Sequence, residues 1–204
     1  MARARAYQMT TDEIGRLIEA VHRSGYPPFR QAIVAGGESF LWTHMVQCLQ
    51  ALRQARLGPI EVYTNAVAAA KIEGAVELID SLRISLDDWN RPQADELRQR
   101  YGAKTRLVDC HRHWRLPAGP YGADMLPADC VGPGYLLYDG HLYPCCNSPA
   151  VPLGLGASLE QVPRCRVHPG FVELLERLRT QLGLFCRACV GNRRLQPWLQ
   201  GVQA

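Results

Sequence analysis

Apolar positions in the first half of the chain alternate between helical and strand-like periods. Thr10-Thr11-Asp12-Glu13 has the form of a capping box, with Thr10 as N-cap and Glu13 three residues on. Ile14, Leu17, Ile18 and Val21 then recur at helical spacing, and Gly25 can stop the helix. A β-prone run, Gln31–Ala35, ends in Gly36-Gly37-Glu38. The pattern predicts a helix from roughly Phe40 to Leu57, with Leu41, Met45, Leu49 and Leu52 on one face and Gly58-Pro59 as its breaker. Ile60–Thr64 reads as a strand, and Asn65 opens a helical segment through about Leu78. Leu82–Leu86 is a third strand, ended by Asp87-Asp88; Pro92–Tyr101 is helical, and Thr105–Asp109 is a fourth strand.

Four strands separated by helices imply a parallel sheet with right-handed crossovers. Ligands of such sheets bind beyond the carboxyl ends of the strands. The polar residues there are Gly36-Gly37-Glu38-Ser39, Thr64-Asn65, Ser85 with Asp87, and Asp109–His111. The glycines allow a ligand close to the backbone, and Glu38 offers a carboxylate to an amino group; the plainer reading is a tight turn. Taken singly, Thr64-Asn65 reads as a helix N-cap, and Ser85 and Asp87 read as strand-end caps. His111 and His113 read as surface histidines.

The second half has a different texture. Residues 114–156 are rich in Gly and Pro. Tyr135–Tyr143 reads as a hairpin, because Asp139-Gly140 suits a type I′ turn between two β-prone runs. That pairing sets Cys145 opposite Gly134, with Cys130 just outside the ladder. A helix is expected at about Pro169–Leu182, with Phe171, Leu174, Leu175, Leu178 and Leu182 apolar, followed by Cys186-Arg187-Ala188-Cys189.

Composition sharpens this contrast. Seven of the eight cysteines lie after residue 109. The net charge of +4 is spread along the chain rather than gathered in a stripe, which argues against a nucleic-acid partner. The N-terminus has no apolar run of signal-peptide type, and no stretch is long enough to span a bilayer. A cytoplasmic chain without a membrane partner is therefore expected, with cysteines that serve as ligands or core thiols. Cys130 and Cys145 flank the hairpin, and Cys186 and Cys189 form a CxxC whose turn aims both sulfurs the same way. Four such thiolates suit an iron–sulfur cluster or tetrahedral zinc. Neighbours in extended chain face opposite ways, so Cys145 is the assigned ligand and Cys146 the second choice. Cys48, Cys110 and Cys165 read as core thiols.

Taken together, these segments resemble radical S-adenosylmethionine (radical SAM) proteins. Ala32–Leu41 is similar to the family's second-strand "GGEP" segment, with Ser39 in place of the proline. Val62-Tyr63-Thr64-Asn65 is similar to its third-strand "TN" segment, and Ile84-Ser85-Leu86-Asp87 to its fourth-strand "SLD" segment. The resemblance implies that Gly36, Gly37, Glu38, Thr64, Asn65, Ser85 and Asp87 line an S-adenosylmethionine site. The run Tyr138–Cys146, together with Cys130, Leu153-Gly154, Phe171…Leu178-Arg179 and Cys186-Arg187-Ala188-Cys189, resembles the SPASM and shorter twitch extensions. It implies one auxiliary 4Fe–4S cluster on Cys130, Cys145, Cys186 and Cys189. The implied fold class is α/β, a partial (β/α) radical SAM-type barrel over 1–113 with a small cysteine-rich α+β module over 114–204. The implied activity, for a complete protein, is formation of a 5′-deoxyadenosyl radical that abstracts hydrogen from an organic or peptide substrate. The electron donor would be of the flavodoxin or ferredoxin kind.

One departure bears on that activity. The family's first strand ends in CxxxCxxC, and no cysteine precedes Cys48 here. Two expectations follow. The preferred one is that this polypeptide starts late, and that an upstream strand carries the catalytic-cluster cysteines and closes an otherwise exposed sheet edge; the chain alone would then be inactive and poorly soluble. The rival is a degenerate, non-catalytic protein that binds zinc or a cluster for interaction or electron transfer. A third reading, a small nucleotide-binding α/β protein, rests on the Gly-Gly turn alone.

Overall fold

The computed structural model describes residues 8–109, 134–145 and 158–182. The chain divides into two compact units, Met1–His113 and Trp114–Ala204.

The first unit is built on a four-stranded parallel sheet: β1 (Ala32–Val34), β2 (Ile60–Thr64), β3 (Ser81–Leu86) and β4 (Thr105–Asp109). Its spatial order is β1-β2-β3-β4. Each crossover therefore steps to the next position in one direction, and right-handed connections place the helices on one face. The helices are α1 (Thr11–Ser24), α2 (Met45–Ala55), the single turn α3 (Ala69–Ile72) and α4 (Arg91–Tyr101). The capping box at Thr10 is present: the Glu13 N–H donates to the Thr10 hydroxyl, and the Thr10 N–H donates to the Glu13 carboxylate at 2.7 Å. Gly25 closes α1 in the left-handed conformation. α1 packs on α2, α2 on β2, and α4 on β3 and β4.

The two faces of this sheet differ sharply. Ile60, Val62, Thr64, Leu82 and Ile84 lie on the helix-covered face and are all buried. They meet a core that includes Leu49, Ile72 and Leu97. Truncating such a fully buried leucine to alanine costs about 2–5 kcal/mol. The opposite face carries Ile33, Glu61, Tyr63, Ser81, Arg83, Ser85 and Arg106 at the intervening positions. Ile33 is half exposed there.

Two predicted helices are shorter than their patterns suggested. The segment from Phe40 to Leu57 is a 3₁₀ turn, Ser39–Leu41, and a separate helix, α2. The Glu38 side chain caps the turn through the Phe40 N–H, and Leu41 faces solvent while Met45, Leu49 and Leu52 are buried. The segment after Asn65 does not start as a helix, because Ala66 adopts the left-handed conformation with φ 66°. Only α3 and the 3₁₀ turn Val76–Leu78 form there.

In the second unit β5 (Leu136–Tyr138), β6 (His141–Tyr143) and β7 (Cys165–Arg166) form an antiparallel sheet in the order β5-β6-β7. The hairpin turn is of the expected type: Asp139 and Gly140 have φ 49° and 68°, the two positive angles of a type I′ turn. The helix α5 (Phe171–Arg179) packs on β6 and β7 and buries Phe171 and Leu175 fully. Tyr143, Leu142, Leu137 and Cys165 complete that core. Among the described residues, no helix is long and apolar enough to cross a membrane.

Candidate functional site

The carboxyl ends of β1, β2 and β3 are joined by side chains into a hydrogen-bonded belt. Glu38, just past β1, reaches across to the end of β2. Its carboxylate accepts the Thr64 hydroxyl at 2.7 and 2.8 Å, the Asn65 N–H at 2.9 Å and the Phe40 N–H at 3.0 Å. Hydrogen bonds of this kind to a charged acceptor are worth about 1.5–3 kcal/mol each. Thr64 is buried, and its oxygen also accepts the Ala66 N–H at 3.0 Å. Asn65 folds its side chain into an Asx turn on the Val67 N–H.

Asn90 carries the belt onward. Its side chain is fully buried and makes three bonds. The amide donates to the Asn65 carbonyl at 2.6 Å and to the Ser85 carbonyl at 2.8 Å, and its oxygen accepts the Asp87 N–H at 2.7 Å. Asp87 and Asn90 form a reciprocal capping box on the 3₁₀ turn Asp88–Asn90. Glu38 thus ties β1 to β2, and Asn90 ties β2 to β3.

The belt has an open element at its β1 end. Gly36 and Gly37 are exposed, with φ 130° and 36°. A Cβ built on either meets no heavy atom within 4 Å. Among the described residues, the backbone amides and carbonyls of the two glycines have no hydrogen-bond partner. The rim therefore presents unengaged peptide groups in open space, while the side chains beside them hold the strand ends in place.

On the open face below the rim, the Arg83 guanidinium lies 4.7 Å from the Tyr63 ring centroid and donates to the Tyr63 hydroxyl at 2.7 Å. Burial raises the Tyr63 phenol above its usual range, and Arg83 opposes that rise. Glu61, buried on the same face, accepts from Gln31 at 3.0 Å and Ser81 at 3.3 Å.

Of the residues singled out in the sequence, Gly36, Gly37, Glu38, Thr64, Asn65, Ser85 and Asp87 all lie along this one rim. Glu38 and Thr64 engage each other there, and Ser85 enters through its carbonyl. Asn90, which joins two of these segments, was not singled out. The signal available was its place three residues after Asp87, the spacing of a capping box. Of the four thiols assigned to a metal, Cys145 is described and is partly exposed. The pairing Leu136↔Tyr143, extended by two residues, sets it opposite Gly134. Cys130, Cys186 and Cys189 lie outside the described residues, as do Cys146, Cys110, His111 and His113. Among the described residues, no group of three or more His, Cys, Asp or Glu side chains is arranged to hold a metal ion. Cys48 and Cys165 are core thiols: both are buried, and burial pushes Cys48 up to about 12 and raises Cys165.

No family model matches the chain, and no curated protein matches it. Solved structures do. Selenomethionine-labelled BtrN in an open conformation aligns with TM-score 0.53 and 13% identity, over 91% of this chain and 76% of that one. BtrN in complex with AdoMet and 2-DOIA aligns with TM-score 0.43 and 16% identity, over 52% of this chain. In that alignment the chain spans 46% of BtrN's length. The likeness to the open form extends over most of the chain, and at this identity it is a likeness of fold: the chain shares the α/β architecture of BtrN.

Proposed function

We propose that the first unit is the S-adenosylmethionine-binding part of a radical SAM protein and that the second unit holds an auxiliary 4Fe–4S cluster. The observation that carries this reading is the rim: open glycine peptides at the end of β1, beside a belt that fixes the ends of β1, β2 and β3. An amino acid joined to a nucleoside suits such a rim. Its amino and carboxylate groups pair with unengaged backbone carbonyls and amides, and its ribose and base lie along neighbouring strand ends. Gly36 and Gly37 supply the close approach. Glu38 and Thr64 fix the β1–β2 spacing, and Asn65, Ser85 and Asp87 offer the polar edge. The fold shared with BtrN, whose complex contains AdoMet, supports the same ligand class.

In the second unit, Cys145 lies two residues past the last ladder pair and is partly exposed. With Cys130, Cys186 and Cys189 it provides a four-thiolate donor set of the kind that holds 4Fe–4S clusters. When loaded with a catalytic cluster and cofactor, a protein of this kind supplies an organic radical for hydrogen abstraction. The substrate is an organic molecule or peptide, and a flavodoxin- or ferredoxin-like donor would deliver the electron. A cytoplasmic setting suits such oxygen-sensitive chemistry. A non-catalytic zinc- or cluster-binding protein is the alternative, favoured only by the absence of cysteine before Cys48.

Hydrogen exchange with and without saturating S-adenosylmethionine, on anaerobically reconstituted protein, tests the rim. Slowed exchange confined to segments 36–40, 64–67 and 85–90 is expected. An unchanged pattern there would remove the cofactor assignment.

A further inference from the structure

Parallel sheets are ordinarily apolar on both faces, because both are covered. Here the face away from the helices carries Glu61, Tyr63, Ser81, Arg83, Ser85 and Arg106 beside the apolar Ile33 and Val108. On the other face Arg83 and Arg106 are direct neighbours on adjacent strands, about 4.8 Å apart at the backbone. Like charges opposite one another on one face are destabilising unless an anion lies between them. Among the described residues, neither arginine has a carboxylate partner. Glu61, on the same face, is buried and engaged with Gln31 and Ser81.

Arg83 is also held in place. The Tyr63 ring stacks against it and the Tyr63 hydroxyl takes one of its N–H groups, from Nη1. A guanidinium has five N–H donors in a fixed fork, so four remain, and a fork of this kind matches an oxyanion. Arg106 is exposed beside it.

We propose that Arg83 and Arg106 form an oxyanion subsite that binds the carboxylate or phosphate of an organic substrate on the open face of the sheet. Arg83 precedes Ser85 by two residues on the same face, so the subsite lies about 7 Å below the rim. The anion would be anchored at that depth, and the rest of the substrate would extend toward the strand ends. This orientation rests on the reading of the rim as the cofactor site; the anion subsite itself does not.

Calorimetric titration of the full chain with succinate, and separately with inorganic phosphate, at constant ionic strength tests the subsite. One of the two is expected to bind, and Arg83→Gln and Arg106→Gln are each expected to weaken that binding about tenfold, the loss of one charged hydrogen-bonding partner. Arg106 is exposed, so its variant keeps the test open should Arg83→Gln fold poorly. Arg83→Lys, which keeps the charge and loses the fork, should fall between. The exchange response of segment 36–40 to S-adenosylmethionine should be the same in the variants as in the parent. If neither anion binds, or if binding is equal in all variants (an adventitious ion only), the subsite is wrong. If the arginine variants instead lose the S-adenosylmethionine response, the anion recognised is the cofactor's carboxylate, and the substrate assignment is overturned. A parent that binds the anion but shows no response to S-adenosylmethionine would sink the rim reading and leave the subsite standing.

Discussion

The two units place their chemically distinctive residues in opposite relations to the fold. In the first, Glu38, Thr64 and Asn90 are structural members: buried or half-buried polar groups that satisfy one another and join three strand ends. In the second, the described strands are held by Leu137, Leu142 and Tyr143 against Phe171 and Leu175, and Cys145 stands past the last ladder pair. A polar group inside a belt cannot be removed without leaving its partners unsatisfied. A partly exposed thiol past the ladder contributes little to the packing of the strands before it. Substitutions in the first unit should therefore strike fold and site together, and those in the second should strike the site alone.

The largest test of that contrast is Glu38→Ala. It strips the acceptor from the Thr64 hydroxyl and from the Asn65 and Phe40 amides. A loss on the order of 3 kcal/mol is expected in urea unfolding. A loss below about 0.5 kcal/mol, the range of an ordinary surface change, would show that the belt does not carry stability. Asn90→Ala should follow at about 2 kcal/mol, because two carbonyls and an amide lose their partner at once. Asn90→Asp should do no better, since a carboxylate would face two carbonyl oxygens.

High pH probes both units through their buried thiols. Unfolded Cys48 ionises near its ordinary value of 9.0, while the folded thiol resists until about 12. Above pH 9 the unfolded state sheds a proton that the folded state keeps, so stability falls across that window and is unaffected below it. Cys165 is raised in the same direction. A Cys48→Ala variant should show a shallower decline between pH 9 and 11 than the parent. An identical decline would mean that Cys48 is not shielded. The smallest effect belongs to Cys145→Ser in metal-free protein: within about 0.5 kcal/mol of the parent. A much larger loss would place the thiol inside the second unit's packing and erase the contrast.

Much of the fold was legible because local signals and packing agree. The capping box at Thr10, the Ile60–Thr64 and Thr105–Asp109 strands and the Asp139-Gly140 turn each follow from a few adjacent residues, and each is present. The misread segments are those where local backbone geometry overrode periodicity. Glu38 turns the chain at Phe40 and detaches the first turn of a helix, and the left-handed Ala66 prevents one from starting at Asn65. The rim was legible as a set of strand-end residues, but the role of Asn90 was not. An asparagine in a charged stretch looks like a surface residue until its partners, 5 and 25 residues away in sequence, are brought together. The arginine pair was equally hidden, since only the register of β3 on β4 makes Arg83 and Arg106 neighbours.

Anaerobic reconstitution with iron and sulfide, followed by metal analysis and absorption spectroscopy, tests the proposed function most directly. A brown protein with a band near about 400 nm and roughly four irons per chain is expected, with both lost in Cys145→Ser. A colourless protein that instead holds one zinc, or a brown one whose iron survives that substitution unchanged, would contradict it.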